Sequence, residues 1–210
     1  MQKTKMEIRR ANKNDIGAIA ELMYSSGTDM YDFVYKTHNK TALDYIRYEY
    51  EAGRGFVGYK NVTVAINDGY VVGTGCFYDG KIYGKLVLGT VINIFMFYGP
   101  LKFMEVLNRT KYITGIMKKP RENEMYLSNF GVSEKHRSKG IGSAMLEYKI
   151  GEAKKAKYKK FILDVSDKNP RAEALYKKHG MVVTKAKFFT GQRDGFICAN
   201  TKQMELLLND

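Results

Sequence analysis

Arg137-Ser138-Lys139-Gly140-Ile141-Gly142 joins a strand-like run, Met125 to Val132, to a helix-like run, Ile141 to Ala156. The first N–H groups of a helix have no partner inside it, and the helix dipole is positive at that end, so an anion fits there. Gly140 and Gly142 remove side chains that would hold a phosphate away from the backbone. Arg137 adds a planar cation suited to phosphate oxygens, and Ser143 adds a hydroxyl. Lys139 precedes the glycines instead of following them, so this is not a Walker loop. Nor is it the dinucleotide G-x-G-x-x-G pattern. The stretch reads as a cradle for a pyrophosphate, or else as a glycine-softened turn before a helix.

A second stretch, Asn169-Pro170-Arg171-Ala172-Glu173-Ala174-Leu175-Tyr176, follows a short apolar strand, Phe161 to Val165. Asn169 is a helix N-cap, Pro170 fits the first helical position, and Gly180 stands just past the end, so the spacing predicts a helix over 169–179.

The rest of the chain adds a predicted strand at Met6–Arg10 and a helix at Asn12–Ser25, whose Ile16, Ile19, Leu22 and Met23 share one face. Helical pieces follow at Thr28–Lys36 and Thr41–Ala52. Asn61–Ile66 and Tyr70–Tyr78 read as a hairpin around the turn Asn67-Asp68-Gly69. The segment 81–122 reads as one or two helices punctuated by Gly99-Pro100 and Pro120. Val182–Thr190 and Gly195–Met204 read as closing antiparallel strands. This order specifies a mixed α/β domain, with no repeat and no linker-like tract, so residues 1–210 are read as one domain.

Composition sets the outer limits. With 44% hydrophobic and 27% charged residues, the chain has the make-up of a soluble globular protein. The formal net charge of +13 favours anionic partners, but net charge alone speaks weakly to function. The dense run at Lys154, Lys155, Lys157, Lys159 and Lys160 reads as a solvated helix end, and no RNA- or DNA-binding motif accompanies it, which ranks nucleic acid last. Cys76 and Cys198 have no metal-type spacing and are read as reduced thiols; no metal site is expected. Met1–Met6 contains no signal-like apolar core, and the most apolar run, Leu86–Tyr98, is too short to span a bilayer. The expectation is a cytoplasmic protein with no membrane partner.

The two stretches together resemble the GNAT superfamily of N-acetyltransferases. One signature is a strand followed by R/Q-x-x-G-x-G/A, here Leu127–Val132 and then Arg137, Gly140 and Gly142. The other is a strand followed by N-x-x-A-x-x-L-Y-x-x-x-G, here Leu163-Asp164-Val165 and then Asn169, Ala172, Leu175, Tyr176 and Gly180. Motif coverage runs from about Leu127 to Val182, and the N-terminal half matches in element order alone.

The resemblance implies a mixed sheet split open between two parallel strands, with acetyl-CoA in the opening and a helical insertion at 81–122 before the central strand. Pantetheine would pair with the backbone of Phe130, Gly131 and Val132 as an added strand. Arg137, Ser138, Lys139, Gly140, Ile141, Gly142 and Ser143 would hold the pyrophosphate. Asn169 and Ala172 would lie against the pantetheine, and Lys178 would reach a phosphate or else be a solvated helix residue.

Tyr176 matches the family's general acid: a phenol with a pKa near ~10 is protonated at neutral pH. A backbone N–H of Gly131 or Val132 is the natural oxyanion donor. Two carboxylates compete as base. Asp164 falls where the ribosomal-protein alanine N-acetyltransferases carry a glutamate, and Glu124 begins the other central strand. Ordered water in place of either is the third option.

The acceptor pocket would be built from the early helices, the hairpin and the closing strands; in the early helices Asp29, Tyr31, Asp32, Phe33, Tyr35, Tyr45, Tyr48, Glu49 and Tyr50 offer acidic and aromatic groups to a cationic amine, or else form a helix pair with its tyrosines packed and its acids solvated. The acceptor is then a small amine or a peptide N-terminus. The apolar Val91, Ile92, Phe95 and Met96 of the insertion need burial against the acceptor site or a second copy of the chain. The competing reading is a catalytically silent acyl-CoA-binding regulator, which would have its acceptor cleft filled by side chains.

Overall fold

A computed structural model describes residues 6–189 and 192–208. Seven strands form one sheet in the order β1-β2-β3-β4-β5-β9-β6. They are β1 (Glu7–Arg10), β2 (Val62–Asn67), β3 (Tyr70–Asp79), β4 (Glu124–Val132), β5 (Lys160–Ser166), β6 (Val182–Lys187) and β9 (Thr201–Leu207). Neighbours run antiparallel except β4 and β5, which run parallel in the centre.

Local chemistry accounts for the element ends. α1 (Ile16–Ser25) follows a single turn, Lys13–Asp15, in which the Asn12 side chain accepts from Asn14 N at 2.9 Å and Asp15 reaches back to Asn12 N at 2.8 Å. α2 (Thr28–Tyr35) is followed by α3 (Ala42–Ala52), which Thr41 caps in a reciprocal box with Asp44. These three helices bury Ile19, Met23, Tyr31, Ile46 and Tyr50 against Val62, Val64 and Cys76 of the sheet. A second core lies between the sheet and the helices α5 (Ile141–Lys155) and α6 (Pro170–Lys178), where Leu127, Leu146, Phe161, Leu163 and Tyr176 pack together.

The insertion is helical, as the sequence predicts. It forms α4 (Gly80–Ile116), 37 residues in two arms broken at Gly99, whose φ of 71° is not helical. Pro100 follows at the break, where its missing N–H costs least. Leu86, Ile94 and Tyr98 pack inward, whereas Val87, Leu88, Ile92, Phe95 and Met96 face outward. The apolar run Leu86–Tyr98 lies in the first arm. The helical segment containing it is long and apolar enough, by length and composition, to cross a membrane.

The C-terminal strands also differ from expectation. Val182–Lys187 is a strand as expected, and Thr190 lies outside the described residues. The predicted strand 195–204 is divided: β7 (Gln192–Arg193) and β8 (Phe196–Ile197) form a small hairpin of their own. The Asp194-Gly195 pair, with φ of 49° and 80°, makes the turn of that hairpin, and the closing strand β9 begins only at Thr201. Both cysteines are free thiols.

Candidate active site

The parallel pairing of β4 with β5 ends abruptly. Leu127 opposite Leu163 is the last pair, although β4 continues beside β3 to Val132 and β5 continues beside β9 to Ser166. The sheet therefore opens beyond this point. Ser128 to Val132 keep a strand partner on one side and present an unpaired backbone edge on the other. An extended ligand can supply the missing strand.

A bulge helps to turn β4 outward. Its register against β3 shifts between Thr74 and Cys76, and Asn129 takes a φ of +50°, a conformation few non-glycine residues adopt. Side-chain bonds hold Asn129 there: its Oδ1 accepts the Tyr31 hydroxyl at 2.7 Å, and its amide approaches Cys76 Sγ at 3.8 Å.

A cleft of ≈ 650 Å³ occupies the opening. Ser128, Asn129 and Phe130 of β4, Leu163, Asp164 and Val165 of β5, Asn169, Ala172 and Tyr176 at α6, and Phe196 to Ala199 line it. The Tyr176 phenol is buried, and burial alone pushes it well above the ordinary tyrosine value. A phenol in that setting enters any reaction protonated.

The predicted phosphate loop forms one rim. Gly140 has a φ of +80° and no atom within 4 Å of where a Cβ would stand, so it serves the turn and not the space around it. Gly142 serves packing: a Cβ there would come 3.1 Å from Leu175 Cδ2 and 3.6 Å from Phe130 Cε1. No side chain caps the start of α5, and its first backbone bond runs from Ala144 N to Gly140 O at 3.0 Å. The N–H groups of Ile141, Gly142 and Ser143 are thus left for an anion.

Ile141 contributes through its backbone alone, since its side chain is buried with Ala65, Val72 and Met145. Lys139 is exposed. Arg137 donates from Nε to Val132 O at 3.2 Å and pairs with Glu134 at 3.1 Å. Ser138 Oγ accepts from Arg171 at 2.9 Å, so a second guanidinium, which the sequence reading passed over, reaches the loop from α6. Lys178 is exposed at the far end of α6, about a dozen ångströms along the axis from Asn169 by helical rise.

The two predicted bases separate. Asp164 lines the cleft and accepts from Tyr126 Oη at 2.9 Å, Lys118 N at 3.0 Å and Lys187 Nζ at 3.3 Å. Glu124 lines neither this cleft nor the pocket described next. It sits at the start of β4, bound by Arg121 N at 2.9 Å and Lys118 Nζ at 3.4 Å. The rise of a strand explains the difference, because four residues of β4 separate Glu124 from Ser128 at ~3.3 Å per residue.

A second cavity adjoins the cleft and shares Met30, Ile113, Met117, Ser128 and Asn129 with it. Tyr31, Tyr35, Tyr45, Phe56, Tyr78 and Tyr83 line it, together with the buried carboxylate of Glu49. Of the acidic and aromatic residues expected at an acceptor site, Tyr31, Tyr35, Tyr45 and Glu49 are here. Asp29 lines the larger cleft instead. Asp32 instead binds Tyr24, and Tyr50 donates to the Asn12 carbonyl.

A family model described as acetyltransferase (GNAT) family matches residues 21–181. No curated protein matches the chain. Among solved structures, an N-acetyltransferase from Staphylococcus aureus Mu50 is 19% identical with a TM-score of 0.69, over 95% of this chain and 100% of that one. A structure described as an acetyltransferase is 21% identical with a TM-score of 0.66, over 97% of this chain and 100% of that one. The yncA protein of Salmonella typhimurium, solved with its cofactor acetyl-CoA, is 19% identical with a TM-score of 0.55, over 99% of this chain and 96% of that one. At these identities the likeness is one of fold.

Proposed function

The chain belongs to the acetyltransferase (GNAT) family, and from that membership we propose that it transfers an acetyl group from acetyl-CoA to a primary amine. The amine belongs to a small molecule or a peptide N-terminus. The observation that carries this reading is the opening of the sheet beyond Leu127 and Leu163, with Tyr176, Asn169 and the unpaired β4 edge on one cleft.

The amine nitrogen attacks the thioester carbonyl carbon directly. A backbone N–H of Gly131 or Val132 stabilises the oxyanion that forms, a donor already fixed by the strand and needing no reorganisation. Collapse of the tetrahedral adduct breaks the C–S bond. The departing sulfur takes the proton of the Tyr176 hydroxyl, and solvent returns a proton to the phenolate. Asp164 receives the proton lost by the amine, directly or through a water, and Tyr126 and Lys187 orient its carboxylate for that role. The phosphate loop, with Arg137 and Arg171 beside it, binds the pyrophosphate. The tyrosine-lined cavity next to the cleft supports an active enzyme over a silent acyl-CoA binder, since an acceptor has somewhere to sit.

Calorimetric titration of acetyl-CoA into the wild type and into Arg137→Glu tests the cofactor half. Binding by the wild type that weakens at least roughly tenfold in the variant is expected from reversing a charge at a phosphate site. A panel of amines followed by release of free thiol tests the transfer. Absence of acetyl-CoA binding by well-folded wild type overturns the proposal.

A further inference from the structure

We infer that the tyrosine-lined pocket ending on Glu49 is a cation subsite, which takes the second, non-reacting ammonium of a linear diamine acceptor. The inference rests on the amine-acetyltransferase reading above and adds the class of substrate.

Glu49 is 1% exposed, yet among the described residues no Lys, Arg or His forms an ion pair with it. Its neighbours are neutral. Oε1 accepts from Thr90 Oγ1 at 2.9 Å and from Val57 N at 3.4 Å. Burial accordingly pushes the carboxyl above the ordinary glutamate value, despite hydrogen bonds that favour its charged form. A buried acid without a counter-charge is costly to the fold, and most such acids are paired. The Tyr45 hydroxyl is buried beside Glu49 and helps to favour its charged form, and among the described residues no other group satisfies it. Glu49 thus has hydrogen-bond donors but no counter-charge, which an ammonium in this pocket would provide.

The walls fit the same ligand. Faces of tyrosine and phenylalanine rings attract ammonium groups, and more so away from water. Between these rings and the cleft, the shared lining is Met30, Ile113 and Met117, which suits a methylene spacer. At the junction stand Ser128 and Asn129, on the unpaired edge of β4. A diamine in this channel would place one nitrogen at Glu49 and the other at the thioester side. Lys118 is the cation lining the pocket, and it is bound to Glu205 at 3.0 Å and Glu124 at 3.4 Å, so it leaves Glu49 unneutralised.

The test compares linear alkane-α,ω-diamines, from propane to hexane, with n-alkylamines of equal length, in wild type and in Glu49→Gln. The wild type is expected to show a higher kcat/KM for diamines, with one spacer length best. Glu49→Gln should lower kcat/KM for that diamine roughly tenfold or more beyond its effect on the matched monoamine. Acetyl-CoA affinity, measured by calorimetry on the same variant, should stay at the wild-type value and shows that the variant is folded. Equal use of diamines and monoamines by the wild type, or equal losses for both in the variant, overturns the inference while leaving amine acetylation in place. If no amine is acetylated, the transfer reading fails, and direct calorimetric binding of the diamine still judges the subsite. Binding that is lost in Glu49→Gln and weakened in Tyr45→Phe supports it, and no binding to the wild type overturns it.

Discussion

The Tyr31 hydroxyl donates to Asn129 Oδ1 across 2.7 Å, joining residues 98 positions apart. One end of this bond is on α2, in the wall of the aromatic pocket, and the other is on the β4 bulge at the cleft. Asn129 has a φ of +50°, so the bond steadies a conformation that most side chains disfavour. Tyr31→Phe keeps the ring and removes the bond. We expect a loss of about 1 kcal/mol of stability by denaturant titration, together with a lower kcat. An unchanged kcat with the stability loss present would show that the bulge holds without the tyrosine.

Tyr176→Phe separates the acid from the packing. The ring contacts with Phe130 and the surrounding core persist, whereas the proton for the departing sulfur is lost. We expect kcat to fall by about a hundredfold or more, with acetyl-CoA affinity little changed. Rapid-mixing measurement of thiol release gives the answer; a variant as fast as wild type removes Tyr176 from the chemistry.

Gly142→Val tests whether the phosphate loop depends on helix packing. The new Cβ meets Leu175 Cδ2 at 3.1 Å, so α5 must move away from α6 or Leu175 must change rotamer. Overpacking of this kind costs about 1–3 kcal/mol, and displacement of the α5 start should also weaken acetyl-CoA binding. Melting temperature and calorimetric affinity should fall together. A variant that loses stability but keeps its affinity would place the two on separate elements.

Acid should weaken the fold through Glu205. Burial works to raise this carboxyl, but hydrogen bonds from Lys160 and Lys118, the Lys118 charge and the Gln203 amide overcome it and hold it at about 2. A carboxyl lowered in the folded state contributes stability above its unfolded value of 4.5, and that contribution is lost as the pH falls from 4.5 towards 2. Unfolding of wild type and Glu205→Gln across this range should therefore converge in acid and diverge above it. A constant difference between them at every pH would show that packing, not charge, sets the effect.

What was legible in the sequence was local. Asn169 caps α6 through a bond to Ala172 N, three residues on, and Thr41 and Asp44 cap each other over the same distance. The Asn67-Asp68-Gly69 turn and the start of α5 at Gly140 likewise depend on the conformational range of one or two residues. Such features carry their cause within one turn of chain, so the motifs, the element order and the family could be read before the fold was known. Other assignments required residues that only packing brings together. Asp164 and Glu124 looked equivalent as bases until the sheet opened beside one and closed over the other. Arg171 reaches Ser138 across 33 positions, and Thr90 reaches Glu49 across 41. No short-range pattern encodes those meetings, because they arise where separate helices and strands bury their apolar faces against a common sheet.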